Sequence, residues 1–160
     1  MESLKMLQKE AAEFLRKAYG IELKIPIKIN GRLKKTLGRL ALKSGKPYAI
    51  ELSADLVQYQ DLKVIMDVLK HELIHYACFE LGKPFKDGEE YFERELAKHG
   101  VSKTRTHAYK GNLHVYRCVS CENVSFRHRK YATDDKGILK SRICGRCHGR
   151  LQYMGMQTRK

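Results

Sequence analysis

His71-Glu72-Leu73-Ile74-His75 places two imidazoles four residues apart, with a carboxylate beside the first. On a helix such residues share a face, so His71 and His75 can bind one metal ion together. Glu72, one residue round, can take a proton from an activated water and pass it to a leaving group. The chemistry predicted is zinc-assisted hydrolysis with Glu72 as the catalytic base. Five-residue patterns of this kind also arise by chance on surface helices, so the flanking residues decide. Leu62, Ile65, Met66, Leu69, Leu73 and Tyr76 keep the i, i+3, i+4, i+7 rhythm of a long helix with one buried stripe. Asp61 is the expected N-terminal cap, and Gly82 followed by Pro84 is the expected stop. The stop matters because the chain must turn back to bring a third ligand. Asp87 lies where the next helical segment begins, with Phe92 and Leu96 on its apolar side. With Glu90 three residues on, Asp87 also reads as a capping box, and one carboxylate can cap and ligate through its two oxygens. Glu89, Glu90 and Glu93 are rivals for the third position.

A second cluster lies near the C-terminus, as Cys118-x-x-Cys121 and Cys144-x-x-Cys147. Paired CxxC knuckles present four thiolates tetrahedrally, and a closed Cys₄ site folds a segment without doing chemistry. Between them, Val124–Arg127 and Ile138–Leu139 flank an Asp134-Asp135-Lys136-Gly137 turn, which predicts a small hairpin. Cys78 stands alone on the apolar helix and reads as a small core residue. His148 could compete with Cys147, and His99 or His107 with Asp87; His114 and His128 carry no assignment.

Taken together, the HExxH helix, the turn and the cysteine region resemble the SprT-like zinc metalloproteases, which include bacterial SprT-like proteins and the eukaryotic Spartan protease. In that family a third metal-binding histidine opens the next helix in a pattern like His-Gly-x-Glu/Asp-aromatic. Asp87-Gly88-Glu89-Glu90-Tyr91-Phe92 fits that frame with Asp87 where the histidine is expected. A carboxylate oxygen is an acceptable zinc ligand. The resemblance covers nearly the whole chain. It implies a zincin-like α+β metalloprotease domain over residues 1–110 and a Cys₄ zinc ribbon over 111–160. It also implies one catalytic and one structural Zn²⁺, and DNA-bound or crosslinked proteins as substrates.

The elements that must position these residues are legible in outline. Leu4, Leu7, Ala11, Phe14 and Ala18 mark an amphipathic N-terminal helix, and Ile21–Ile29 alternates like a half-buried strand, with Pro26 at an edge or interruption. Leu33–Leu42 and Tyr48–Leu52 supply two more strands, with turns at Gly31 and Ser44–Pro47. Ala49–Leu52 is the expected edge strand for pairing with an extended substrate backbone. One hundred and sixty residues bury one good core and an appendage. The N-terminus lacks a signal-like apolar run and no segment is long enough to span a bilayer, so a cytoplasmic protein is expected, its cysteines reduced.

Charge divides the chain. Residues 1–98 carry 18 Lys and Arg against 15 Asp and Glu, and residues 99–160 carry 14 against 3. The cysteine-bearing part holds Arg117, Arg127, Arg129, Lys130, Lys140 and Arg142 among Tyr116, Phe126, Tyr131 and Tyr153, a composition suited to phosphate contact and base stacking. DNA is therefore the expected partner beside a protein substrate. The alternative is a nonproteolytic zinc-ribbon module that binds nucleic acid or a transcription-related partner, its HExxH kept as a structural metal site. A structural site prefers four closed ligands where this one offers three, which favours the enzyme.

Overall fold

The computed structural model describes residues 2–103 and 105–160 and divides into two compact units, residues 1–109 and 110–160. It is a mixed α+β chain with two small sheets, as the pattern of elements predicts.

In the first unit, α1 (Glu2–Tyr19) buries Leu7, Ala11 and Leu15, one residue per turn. Three strands follow, β1 (Ile27–Asn30), β2 (Gly38–Lys43) and β3 (Lys46–Ser53), in the order β1-β3-β2. Pro26 precedes β1, which is an edge strand, and its carbonyl accepts from the Ile50 amide. Ser44 and Gly45, both with positive φ, make the two-residue turn between β2 and β3 that matches strand twist. Residues 33–37 lie outside the strand, which begins at Gly38.

This order overturns one expectation. Ala49–Leu52 lies in β3, hydrogen-bonded on both sides, so it cannot pair with a substrate. Ala49, Ile50 and Leu52 are fully buried, and a strand apolar on both faces belongs in the middle of a sheet. The edge on the other side is β2. The Ser53 amide donates to Leu37 O, and alternation along β2 then turns the amides of Gly38 and Leu40 outward.

Ser53 caps α2 (Ala54–Tyr59) and Asp61 caps α3 (Leu62–Glu80), its carboxylate accepting from the Val64 amide at 3.0 Å. At the far end Gly82, at φ 67°, lets the Lys83 amide reach back to Cys78 O, and the chain reverses toward α4 (Glu90–Lys98). Helix α3 is buried on two sides. Leu69, Leu73 and Tyr76 pack in a core with α1 and the sheet, while Ile74 and Cys78 pack with Phe92, Leu96 and Val101. Each fully buried aliphatic side chain contributes about 1.5–3 kcal/mol, enough to offset the burial of polar residues on the same helix.

The second unit is a four-stranded antiparallel sheet of β4 (Gly111–Cys118), β5 (Val124–Arg127), β6 (Ile138–Ile143) and β7 (Arg150–Arg159), ordered β5-β4-β7-β6. The expected hairpin between Val124–Arg127 and Ile138–Leu139 is not formed; these strands lie at opposite edges. The longer β4 and β7 take the centre because they offer more backbone pairing. The Asp134–Gly137 turn is present, Asp134 Oδ1 accepting from the Lys136 and Ile138 amides, and it closes a single bridge between Thr133 and Leu139. Leu113, Tyr116 and Leu139 are the buried non-cysteine hydrophobic residues of this unit.

Candidate functional site

His71 and His75 project from one face of α3, 6% and 8% exposed. His71 Nδ1 donates to Ser102 O at 2.9 Å, and His75 Nδ1 donates to Phe85 O. A carbonyl can only accept, so both protons sit on Nδ1, and burial holds His75 below its usual pKa and hence neutral. On neutral rings in that tautomer the two Nε2 atoms are acceptors, and they face each other at 3.2 Å. Asp87 Oδ1 completes a triangle, 3.1 Å from His71 Nε2 and 3.3 Å from His75 Nε2. Three acceptors at these separations repel unless a cation lies among them. Tetrahedral ligands about 2.0–2.1 Å from a zinc ion are about 3.3 Å apart, so the donor set fits the metal. Phe92, fully buried, stacks on His75 with centroids 3.9 Å apart and meets His71 edge-on, fixing both rings.

Glu72 is also buried, pointing into a cleft of about 770 Å³ whose walls include Gly38, Leu40, His71, His75, Asp87 and His107. Desolvation, then the charge of Asp87, pushes its carboxyl up to about 8, against the pull of a hydrogen bond from the Leu40 backbone. A cation at the histidines would oppose that rise. Strand β2 comes this close because residue 38 is glycine: a Cβ there would lie 2.9 Å from Val68 Cγ1 and 3.3 Å from Glu72 Cγ.

The turn before α4 resolves the acidic cluster spatially. Asp87 is not a helix cap; Glu89 holds the cap position, without a side-chain cap bond, so the expected Asp87–Glu90 capping box is absent. Glu89 instead accepts from the Lys86 amide at 3.3 Å and Glu93 from the Gly88 amide at 2.9 Å, holding the turn that presents Asp87. Of these carboxylates it is Asp87 that meets the histidines. Asp87→Ala should therefore lower zinc affinity at this site by about tenfold or more, while Asp87→His should recover it; both are measured by chelator competition. Full affinity in Asp87→Ala would remove Asp87 from the ligand set.

In the second unit, Cys118, Cys121, Cys144 and Cys147 bring their sulfurs within 4.8 Å of one another. Cys118 Sγ lies 3.5 Å from Cys147 Sγ, and Cys121 Sγ 3.7 Å from Cys144 Sγ. A disulfide needs about 2.05 Å, whereas zinc thiolates at about 2.3 Å from the metal stand about 3.8 Å apart. The Cys121 amide donates to Cys118 Sγ, which draws that thiol down to about 6, and the Arg146 amide donates to Cys144 Sγ. Gly149 closes the second knuckle with no room for a side chain, since a Cβ would sit 2.9 Å from Cys118 Sγ.

The other candidates fall elsewhere. Cys78 is buried in the α4-side core, its thiol pushed up to about 11 mainly by burial. His99 packs edge-on against Phe14, and His114 meets the Tyr153 hydroxyl. His148 is exposed, its amide donating to Cys144 O. Tyr116 is 1% exposed, with its hydroxyl donating to Arg129 O, so it cannot stack on a base. His107 is not among the atoms facing Asp87; its Nε2 lies 2.6 Å from Asp67 Oδ2 on the cleft wall. The pairing of Asp67 with His107 spans 40 residues, and no local pattern announces it.

An α+β unit that gathers two helical histidines and carboxylates in a cleft, followed by a sheet carrying four clustered cysteines, defines the class of the chain. Its sequence matches the SprT-like family over residues 4–109, and the chain belongs to that family. It is 31% identical to a Protein SprT-like of Staphylococcus epidermidis over 147 residues, 90% of each chain. A Protein SprT-like of Streptococcus mutans is 29% identical over 142 residues, 88% of this chain and 92% of the relative. One from Enterococcus faecalis is 32% identical over 127 residues, 78% and 77% of the two chains. No solved structure matches significantly.

Proposed function

We propose that the chain is a zinc-dependent peptidase in which His71, His75 and Asp87 hold the metal and Glu72 is the general base. The observation that carries this is the convergence of His71 Nε2, His75 Nε2 and Asp87 Oδ1, with the other nitrogen of each ring held by a backbone carbonyl. Zinc bound there would supply Lewis acidity toward a water and a peptide carbonyl. Glu72 takes the proton of the attacking water and delivers it to the departing amine, so one carboxylate serves both halves of the cleavage. The open edge of β2 offers backbone pairing to an extended substrate, a recognition mode with little side-chain selectivity.

The Cys₄ cluster would hold the structural zinc, and the C-terminal sheet would bind DNA. What supports this is its charge and its surface: Arg142 lies 4.9 Å above the Tyr131 ring and Lys130 5.1 Å above Tyr153, beside exposed Arg127, Arg129 and Phe126. Proteins held on DNA are then the substrates. No helix among the described residues is long and apolar enough to cross a membrane, and metal-binding cysteines fit a reducing compartment such as the cytoplasm.

Zinc-loaded full chain should cleave an unfolded DNA-binding protein faster with duplex DNA present. The gain should vanish steeply as salt rises, since each phosphate contact releases counterions. Chelation should stop cleavage and zinc should restore it. Cleavage indifferent to chelator would end the peptidase reading, and a salt-insensitive rate would end the DNA one.

A further inference from the structure

His107 and Asp67 form a second histidine–carboxylate pair inside the cleft, outside the residues given to zinc or to the base. Asp67 lies one helical turn before His71 on α3, so its side chain rises on the same face. Its Oδ2 is 2.6 Å from His107 Nε2, and its Oδ1 accepts the Ser102 amide at 3.1 Å. Burial alone would raise the Asp67 carboxyl, but the bonds from Ser102 and His107 outweigh it and hold the group below its usual range, hence ionised. An ionised carboxylate accepts, so His107 Nε2 carries a proton. Among the described residues nothing else bonds His107, whose side chain is 25% exposed and lines the cleft, so Nδ1 remains for a ligand.

We propose that His107 is a second catalytic imidazole, hydrogen-bonding through Nδ1–H to the oxygen that gains charge as the peptide carbonyl becomes tetrahedral, with Asp67 as its positioning residue. This rests on the peptidase reading and adds to it a donor that does not depend on the metal ligands. A protonated imidazole donates from both nitrogens, one here toward Asp67 and the other into the cleft, and the Nδ1–H donates without being transferred. Such a donor acts only where charge develops, so its loss should fall on kcat rather than KM. Asp67 has a second task, since the Ser102 amide it holds belongs to the residue whose carbonyl fixes His71.

The test uses zinc-loaded full chain, with casein as substrate and a phosphinic analogue of trialanine as a stable tetrahedral anion. His107→Ala should keep two zinc ions per chain, lose about 10²-fold in kcat with KM within about threefold, and bind the phosphinic peptide at least tenfold more weakly. Asp67→Asn should lower kcat less and in the same direction. Equal phosphinic-peptide affinity in wild type and His107→Ala overturns the proposal whether or not casein is cut, as does loss of zinc in His107→Ala. Casein left intact by wild type while the phosphinic peptide distinguishes the two proteins would refute the peptidase reading and leave the anion contact standing.

Discussion

Glu72→Gln should lose at least about 10²-fold in peptide hydrolysis while keeping both zinc ions and its fold. Glutamine has the same shape, so the tight approach of β2 at Gly38 to the side chain of residue 72 is undisturbed. What disappears is the ability to take a proton. Because burial pushes the Glu72 carboxyl up to about 8, folding of the metal-free protein at neutral pH must protonate it, a cost that glutamine does not carry, and thermal stability of the metal-free variant should be equal or higher. Rates from initial cleavage, zinc by mass spectrometry and melting temperature give the three readouts. A variant that cuts at the wild-type rate, or that drops the first zinc, removes Glu72 from the role of base.

Cys144→Ser should unfold the C-terminal sheet and leave the first unit folded. The apolar core of this unit rests on Leu113, Tyr116 and Leu139 alone, too few side chains to hold four strands by burial, so a metal bound by the four thiolates would carry a large share of the folding free energy. Segment-resolved hydrogen exchange should show protection lost across β4 and β7 but retained in α3. Gly149→Ala should act in the same direction, because its Cβ would press on Cys118 Sγ and Ser120. Protected β4 and β7 amides in Cys144→Ser would show that the sheet stands without its metal.

What the sequence disclosed and what it withheld divide along chain separation. Helix α3, its Asp61 cap and its Gly82 stop follow from a period and two end signals, all local. Both CxxC knuckles are local as well. Strand order is not: Ala49–Leu52 has the composition of a strand, but whether it lies at the centre depends on β1 and β2 arriving on both sides of it. The same limit misplaced the hairpin around Asp134, where the turn chemistry is local and the partner is not. Asp87 carried two readings, cap and ligand, and only the path of the turn from Gly82 to Glu89 separates them. The carbonyls of Phe85 and Ser102, which fix the histidine tautomers, are backbone atoms and leave no mark in side-chain pattern.

The three acceptors of the first centre differ in how they are held. His71 and His75 are set in a packed helix with side chains 8% and 10% exposed, whereas Asp87 sits on a turn with its side chain 51% exposed. That asymmetry would make the turn the doorway for ion exchange: zinc held there would leave by the swing of one carboxylate, a loop motion, with the helix intact. Exchange half-lives at this centre should therefore follow the mobility of residues 82–89, and tightening that turn would slow the traffic of ions without altering the histidines that receive them.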